Sequence, residues 1–505
     1  MKELRDDQTQ ALEDLRRNVA NGHKRICMQA PTGFGKTVLA GALVNGAKAK
    51  AKKVLFTVPA VGLIDQTVEM FYAQGIEDVG VIQSHHHMTD WSKPIQIASV
   101  QTLMKRPMPE CDVVLVDECH RWFTIYDQWL SQDQGWKCPV IGLSATPWTK
   151  GLGKYYRGPF GLPSDQQEQC LIVASTTESL IERGLLSNFK VFAPSHPDLS
   201  GVSTKAGDYH EGELSKTMQD GALVANAVDT WLRLGECRPT LCYAVDRAHA
   251  KRLQQEFEAA GVPCGYQDAY TPDLERTRLK IDFHSGKVRV VVNVGTLTTG
   301  IDWDVRCISL CRPTKSDILF SQIIGRGLRT APGKDYCLIL DHSDNHLRLG
   351  CVTDIDQSYV GLHDGKSPPE ANRTDNIRLP KECPKCAFLR SPRASICPAC
   401  GFKAEMVSSI KHEAGELREL RRKPKRPKGA FEVVDKALFF AELKAYAQDH
   451  EYKEGWAANQ YREKIGVWPS PLIKHIPPAL HVSPATVGWI KSRMIAWARG
   501  VRDAR

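Results

Sequence analysis

The segment Ala30-Pro-Thr-Gly-Phe-Gly-Lys-Thr37 limits what this chain can fold into more than any other stretch, because it joins an apolar run (25–30) to a helix-forming one beginning at Thr37. A loop held between a strand and a helix N-terminus gathers free backbone N–H groups at the positive end of the helix dipole. Gly33 and Gly35 leave that backbone unhindered, Lys36 adds a cation and Thr37 a hydroxyl. The predicted object is a cradle for the β- and γ-phosphates of a nucleotide, with Mg²⁺ on Thr37. Thr32 belongs to the same loop, and Ala30 stands where the usual pattern has glycine. Such a strand–cradle–helix unit calls for a parallel sheet covered by helices.

The same alternation runs on through two stretches. RICMQA (25–30), KVLFTV (53–58), IQIAS (95–99), DVVLVD (112–117) and PVIGLS (139–144) are continuous apolar runs, suited to strands buried on both faces, with helical stretches at 37–50 and 63–74. The pattern restarts after about residue 225 with TLCYAV (240–245), VRVVVNV (288–294), CISLC (307–311) and YCLILD (336–341). A chain of 505 residues also exceeds a single core. The expected fold is α/β, with two similar lobes in series at 1–193 and 194–345; the polar, turn-rich stretch 194–220 serves the connection between them. Residues 346–380 read as a linker, 381–405 as a Cys-rich module, 406–429 as a basic linker and 430–505 as a small helical domain.

No run of about 18 apolar residues occurs, which excludes a transmembrane helix of the usual kind. The N-terminus mixes both charge signs and lacks the apolar core of a signal peptide, so a cytoplasmic protein with no membrane partner is expected. The net charge of +9 suits a nucleic-acid partner without requiring one.

Further chemistry gathers at predicted strand ends. Asp117 and Glu118 follow the run 112–117, where one carboxylate can hold Mg²⁺ and the next can polarise an attacking water. Ser144 and Thr146, in Ser-Ala-Thr-Pro, close the next run. Gln322-Ile-Ile-Gly-Arg-Gly-Leu-Arg329 puts Arg326 and Arg329 on one helix face, where both can reach the γ-phosphate across a cleft.

Taken in order, this set resembles the superfamily 2 helicases of DEAD/DEAH type. APTGFGKT is similar to their motif I, DECH (117–120) to motif II, SATP to motif III, NVGTLTTGID (293–302) to motif V and QIIGRGLR to motif VI. LTTGID, RPTKSD (312–317) and QIIGRGLRTAPGKDYCLILD (322–341) look most like the RadD-type bacterial DNA repair helicases and related phage helicases. The resemblance spans about residues 3–345. It implies two RecA-like lobes with ATP between them, DNA (single-stranded or branched) as partner, and contact with single-stranded-DNA-binding protein. It also implies that Arg5 and Gln8 read adenine, that Gly300 and Asp302 line the ATP side of motif V, and that Gln322 acts with the arginines. Ser99, Gln101 and Thr102 on the first lobe, and Thr296 and Thr298 on the second, match nucleic-acid-facing positions; Ser144 and Thr146 match the element that couples ATP to nucleic acid. One departure is Val61, near where relatives carry a cation.

Cys383-x-x-Cys386 and Cys397-x-x-Cys400 form two knuckles ten residues apart, the spacing of a closed Cys₄ zinc site that folds a module and offers no catalytic position. His85-His86-His87 cannot all converge on one metal and read as a surface triplet. RELRRKPKRPKG (418–429) is a tether or a phosphate-binding arm, and Trp456, Tyr461 and Trp468 serve either a helical core or base stacking. Asp435, Glu442 and Lys444 only faintly suggest a nuclease set, because they lie in helix-spaced sequence. The reading is an ATP-, Mg²⁺- and Zn²⁺-dependent DNA helicase or translocase in repair, recombination or phage replication. The alternatives are an RNA helicase and a DNA-stimulated ATPase scaffold that recruits partners without separating strands.

Overall fold

The computed structural model describes the chain except for residues 1–2, 84, 132, 164–165, 206, 299–301, 366–378, 404–432 and 503–505. It resolves into two compact units, Met1–Met406 and Val407–Arg505.

The first unit holds two parallel sheets. Strands β1 (Arg25–Gln29), β2 (Val54–Val58), β3 (Val79–Ile82), β4 (Ile95–Ser99), β5 (Val113–Asp117), β6 (Val140–Ser144) and β7 (Leu171–Val173) run in the order β3-β4-β2-β5-β6-β1-β7. Every neighbouring pair is parallel. Strands β1, β2, β4 and β6 are buried along their whole length, which is why they read as unbroken apolar runs. Helices α1 (Asp6–Ala20), α2 (Lys36–Lys48) and α3 (Ile64–Tyr72) pack against this sheet. The second sheet comprises β8 (Asn188–Phe192), β9 (Thr240–Tyr243), β10 (Cys264–Gln267), β11 (Val290–Asn293), β12 (Cys307–Leu310) and β13 (Tyr336–Asp341), ordered β8-β13-β12-β9-β11-β10. It too is parallel throughout. Two parallel α/β lobes are therefore present, as the alternation of strands and helices implies.

Three boundaries differ from the sequence reading. Strand β8 pairs with β13, from Asn188↔Tyr336 to Phe192↔Leu340, so the second lobe begins before residue 194. The connection is consequently the stretch 174–187, with helix α4 (Thr177–Glu182), and not 194–220. The latter stretch folds onto the second lobe: Leu199, Val202, Leu214 and Met218 pack with Val245, and the Asp208 carboxylate accepts bonds from Thr314 and Lys315. Residues from 346 onward are not a plain linker either. After helix α5 (Asp317–Gly327) come a helix over Asn345–Leu349 and helix α6 (Val352–Ser358), with Val352 and Ile355 in the core.

The Cys-rich module forms a small antiparallel pair, Lys381–Glu382 with Leu389–Arg390, and docks on the exposed edge of β8. Phe192 pairs with Phe388, and Ala193 N–H donates to Ala387 O at 2.9 Å. His196 adds a double ion pair, to Asp344 at 2.8 Å and Glu382 at 3.0 Å. The C-terminal end of an edge strand, which would otherwise expose unpaired backbone, is thereby capped.

The second unit has its own core. Helices α7 (Val433–Asp449), α8 (Trp456–Ile465) and α9 (Pro484–Arg502) enclose Phe439, Phe440, Leu443, Tyr461 and Ile490. Trp456 is packed against this core, whereas Trp468 is 52% exposed beneath the Arg462 guanidinium. Glu442 is buried and accepts bonds from Ser483 and Thr486, and Lys444 donates to the Lys474 and Ile476 carbonyls. Both are engaged in holding helices together, and the side chain of Asp435 lies outside the described residues. The basic run 418–429 is likewise outside them.

Candidate nucleotide-hydrolysis site

The cradle forms where β1 turns into α2. Ala30 N–H donates to Ser144 O at 2.8 Å, fixing the loop on the neighbouring strand β6. Gly33 (φ 88°) and Gly35 (φ 89°) both lie in the left-handed region, so the loop backbone doubles back on itself and presents its N–H groups at the head of α2. A Cβ on Gly35 would stand 2.7 Å from Gln8 Nε2. That closeness reflects an N-terminal latch: Gln8 Nε2 donates to Phe34 O at 2.8 Å, Arg5 donates to the same carbonyl, and Arg5 N–H bonds back to Gln8. Arg5 and Gln8, expected to read adenine, thus touch the cradle itself.

Glu118 follows the tip of β5 with φ 48°, an uncommon conformation for a side-chain-bearing residue, and this kink swings its carboxylate onto Lys36, with Nζ and Oε1 3.1 Å apart. His120 Nδ1 lies 3.3 Å from Glu118 Oε2 and 2.9 Å from Ser144 Oγ. Burial disfavours the charged form of Glu118, but Lys36 and His120 overcome it and hold this carboxyl well below the usual range. Asp117 moves the other way: burial, with the charge of Glu118 beside it, pushes its carboxyl up to about 7, although Lys36 opposes this. A carboxyl left short of positive charge in this way fits the ligand of a divalent cation, and Thr37 supplies a hydroxyl on the same cleft wall.

The second lobe closes the site. Arg326, on α5, is buried and donates from Nε to Thr298 O at 2.9 Å; burial, then Arg329, brings its guanidinium down to about 10, still charged at neutral pH. Arg329 pairs with Asp302 at 3.0 Å. Thr32, Gly33, Gly35, Lys36, Thr37, Asp117, Glu118, Asp302, Arg326 and Arg329 all line one cleft of about 660 Å³, within the range of small-molecule sites. Gln322 does not line it. Its amide instead donates across the lobe boundary to His120 Nε2 at 2.9 Å, so that His120 joins Glu118, Ser144 and Gln322 in one buried network. His120 carries no role in the sequence reading although it stands in DECH; only the fold shows that both its ring nitrogens are used. The lobes also meet at Gly325, where a Cβ would fall 2.8 Å from Thr32 Cβ.

The remaining sites are spread more widely. Ser144 and Thr146 are buried, with Thr146 N–H donating to Ser144 Oγ at 3.0 Å. Ser99 is fully buried and caps the turn Val100–Leu103 through Thr102 N–H at 3.2 Å, while Gln101 is exposed and its amide holds the Pro59 carbonyl at 3.0 Å. Thr298 donates to Gly295 O at 3.1 Å, and Thr296 accepts from Gln267 at 3.5 Å. Gly300 lies outside the described residues. Val61 is 43% exposed and brings no charge to its loop.

The four sulfurs of Cys383, Cys386, Cys397 and Cys400 lie within 4.8 Å of one another, and they are the one such His/Cys/Asp/Glu group among the described residues. The two knuckles repeat one shape. Ala387 (φ 58°) and Gly401 (φ 69°) follow the second Cys of each pair, and their N–H groups donate to Cys383 O and Cys397 O at 2.8 and 2.9 Å. Of the histidine triplet, His86 pairs with Asp65 at 2.7 Å and stacks on His87.

A phosphate cradle on one α/β lobe facing two arginines on a second defines the class: a two-lobed P-loop nucleotide-dependent motor. Residues 1–149 match the family described as "Type III restriction enzyme, res subunit", and residues 225–331 the "Helicase conserved C-terminal domain". A Saccharomyces cerevisiae protein named "Putative ATP-dependent helicase IRC3" is 27% identical over 67% of this chain and 51% of its own length. A "51.5 kDa protein" of a Lactococcus phage is 24% identical over 88% of this chain and 90% of its own. A fragment described as "a putative HsdR subunit of a type I restriction enzyme from Vibrio vulnificus YJ016" has the same fold over 71% of this chain and 68% of its own, at 20% identity and a TM-score of 0.51. The DNA-bound type ISP restriction-modification enzyme LlaBIII matches over 67% of this chain and 27% of its own, at 18% identity and a TM-score of 0.50. The two matched stretches carry the two domains found in superfamily 2 helicases. The chain spans about half the length of the yeast relative. No helix among the described residues is long and apolar enough to cross a membrane.

Proposed function

We propose that this chain is a DNA translocase or helicase driven by ATP hydrolysis in the cleft between its lobes. The observation that carries the reading is the composite cleft: Lys36, Asp117 and Glu118 on one wall, Arg326 and Arg329 on the other. Lys36 and the loop N–H groups take the phosphates of ATP, releasing Lys36 from Glu118. Thr37 and Asp117 are the residues to hold Mg²⁺, which neutralises phosphate charge when bound. Glu118, with His120 still beside it once Lys36 has moved to the phosphates, orients the attacking water. Arg326 and Arg329 bring their charge to the γ-phosphate as the lobes close, so the composite site is complete only in the closed state. The network from Glu118 through His120 to Ser144 and Gln322 gives hydrolysis a route to lobe movement. Gln101, Thr102, Thr296 and Thr298 are assigned to the nucleic-acid backbone, with Ser99 shaping the turn that carries the first two.

DNA is favoured as the track because the restriction enzyme matches fall on the same lobes, and LlaBIII is described bound to DNA. Turnover of ATP by the full chain is expected to rise several-fold with single-stranded or duplex DNA and to stay near its basal rate with RNA. Stimulation by RNA alone would overturn the DNA assignment. Stimulation by DNA without displacement of an annealed strand would leave a translocase and exclude a helicase.

Zn²⁺ is assigned to the four cysteines, where it closes the two knuckles and holds the module that covers β8. Elemental analysis of purified chain should give one zinc per molecule, and Cys383→Ser with Cys397→Ser should lose it and expose the 381–403 segment to protease. A metal-free wild-type chain equally resistant to protease would refute the assignment.

A further inference from the structure

The chain crosses between its lobes twice. The first crossing is the connection carrying α4. The second is α6 and the stretch up to His363, and it returns from the second lobe to the first with contacts at both ends. Asp356, on α6, accepts a bond from Thr177 N–H at 2.5 Å, and Gln357 bonds Glu178 at 2.6 Å, tying α6 to the connecting helix. Tyr359 donates to Asp317, the first residue of α5, at 2.7 Å. Its ring lies flat on Trp148, with centroids 4.4 Å apart and planes 6° from parallel. Leu362 then exchanges two bonds with the Gln169 amide, each 2.7 Å, and His363 O accepts from Gly153 N–H at 2.8 Å. Trp148 follows Ser144-Ala-Thr-Pro directly, so Tyr359 touches both the segment that couples ATP to movement and the helix that carries Arg326.

These contacts surround a cavity of about 20 Å³, room for about one water, where Thr32, Thr146, Trp148, Ser321, Gly325 and Asp356 meet. Four buried atoms of its lining residues, Thr146 Oγ1, Trp148 Nε1, Ser321 Oγ and Asp356 Oδ1, have no hydrogen-bond partner among the described residues. Buried polar groups are normally bonded, and three donors around one carboxylate oxygen suit a shared water. A junction made of flat stacking and polar groups without a fixed protein partner can slide between arrangements more easily than an interlocked apolar one.

We propose that residues 352–363 form a clasp between the lobes, in which Tyr359 and Asp356 are positioning residues that set the Ser144–Trp148 segment against α5. The clasp transmits lobe closure to that segment without touching nucleotide. This rests on the motor reading given above.

The test uses the full chain. Amide hydrogen exchange in 149–154 and 359–363 should change when a non-hydrolysable ATP analogue with Mg²⁺ is added; exchange that stays the same in both segments overturns the clasp, whether or not DNA stimulates the enzyme. Tyr359→Ala should leave basal kcat and the KM for ATP near wild type while lowering the stimulation by DNA roughly 2- to 30-fold. Tyr359→Phe, which keeps the stack and loses the Asp317 bond, should recover most of it. Wild-type stimulation in Tyr359→Ala would overturn the proposal, as would a loss that Tyr359→Phe shares in full. A wild-type chain that DNA does not stimulate would instead sink the motor reading, and the exchange result alone would then decide the clasp.

Discussion

Replacing Arg326 with alanine is expected to lower kcat for ATP hydrolysis by about 10³-fold or more, with nucleotide affinity changed only a few-fold. The asymmetry follows from where Arg326 stands. It belongs to the second lobe, while Lys36 and the loop N–H groups assigned above to the phosphates belong to the first. Ground-state binding therefore survives its loss, whereas charge developing on the γ-phosphate loses a cation already stripped of water. Arg326→Lys keeps the charge but not the planar fork, and its turnover should recover only in part. Because Arg326 is buried and holds the Thr298 carbonyl, the variant also needs a melting curve beside it. Turnover within about tenfold of wild type, in a folded Arg326→Ala chain, would remove Arg326 from the transition state.

The cleft was legible in the sequence because its parts are local. On the first lobe each functional side chain sits at the end of an apolar strand or the start of a helix, and a parallel sheet places all such ends on one edge, whereas Arg326 and Arg329 lie at the end of helix α5. Strand β5 therefore brings Asp117 and Glu118 beside the cradle of β1 with only β6 between them. What could not be read was long-range. Strands β3, β7, β8 and β10 are three to five residues long or carry polar residues such as Gln267 and Asn188, and only their neighbours in the sheet make them strands. Residues 352–363 looked like a linker because their partners, Trp148, Gln169 and Thr177, lie about 180–210 residues away; no periodicity announces a ring stack or a pair of amide bonds at that range. His120 was missed for a related reason: a histidine in DECH shows its chemistry only when Gln322 of the other lobe is seen against it. The four cysteines converge as their spacing implies, since knuckle spacing is itself local, but the docking of their module on β8 depends on residues far away in sequence.

Exchanging Glu118 for glutamine should separate binding from chemistry more sharply than any other single change. The side chain keeps its size and one hydrogen-bonding oxygen, but it can no longer draw a proton from water, so hydrolysis is expected to fall about 10²- to 10⁴-fold. Nucleotide binding should hold or tighten, for two reasons internal to the site. Lys36 loses its competing ion pair and is free for phosphate. Asp117 loses the neighbouring negative charge that helps to raise its carboxyl to about 7, so it ionises more readily and takes up a divalent cation at lower pH. Asp117→Asn is the contrasting case, losing Mg²⁺-dependent affinity together with turnover. Titration of a fluorescent ATP analogue against both variants at pH 6 and pH 8, alongside single-turnover hydrolysis, resolves the two. The wild-type chain should bind more tightly at pH 8 than at pH 6, and Glu118→Gln should show a smaller difference. Loss of nucleotide affinity in Glu118→Gln equal to that in Asp117→Asn would mean that Glu118 holds the cation, and the division of labour between the two carboxylates would have to be reversed.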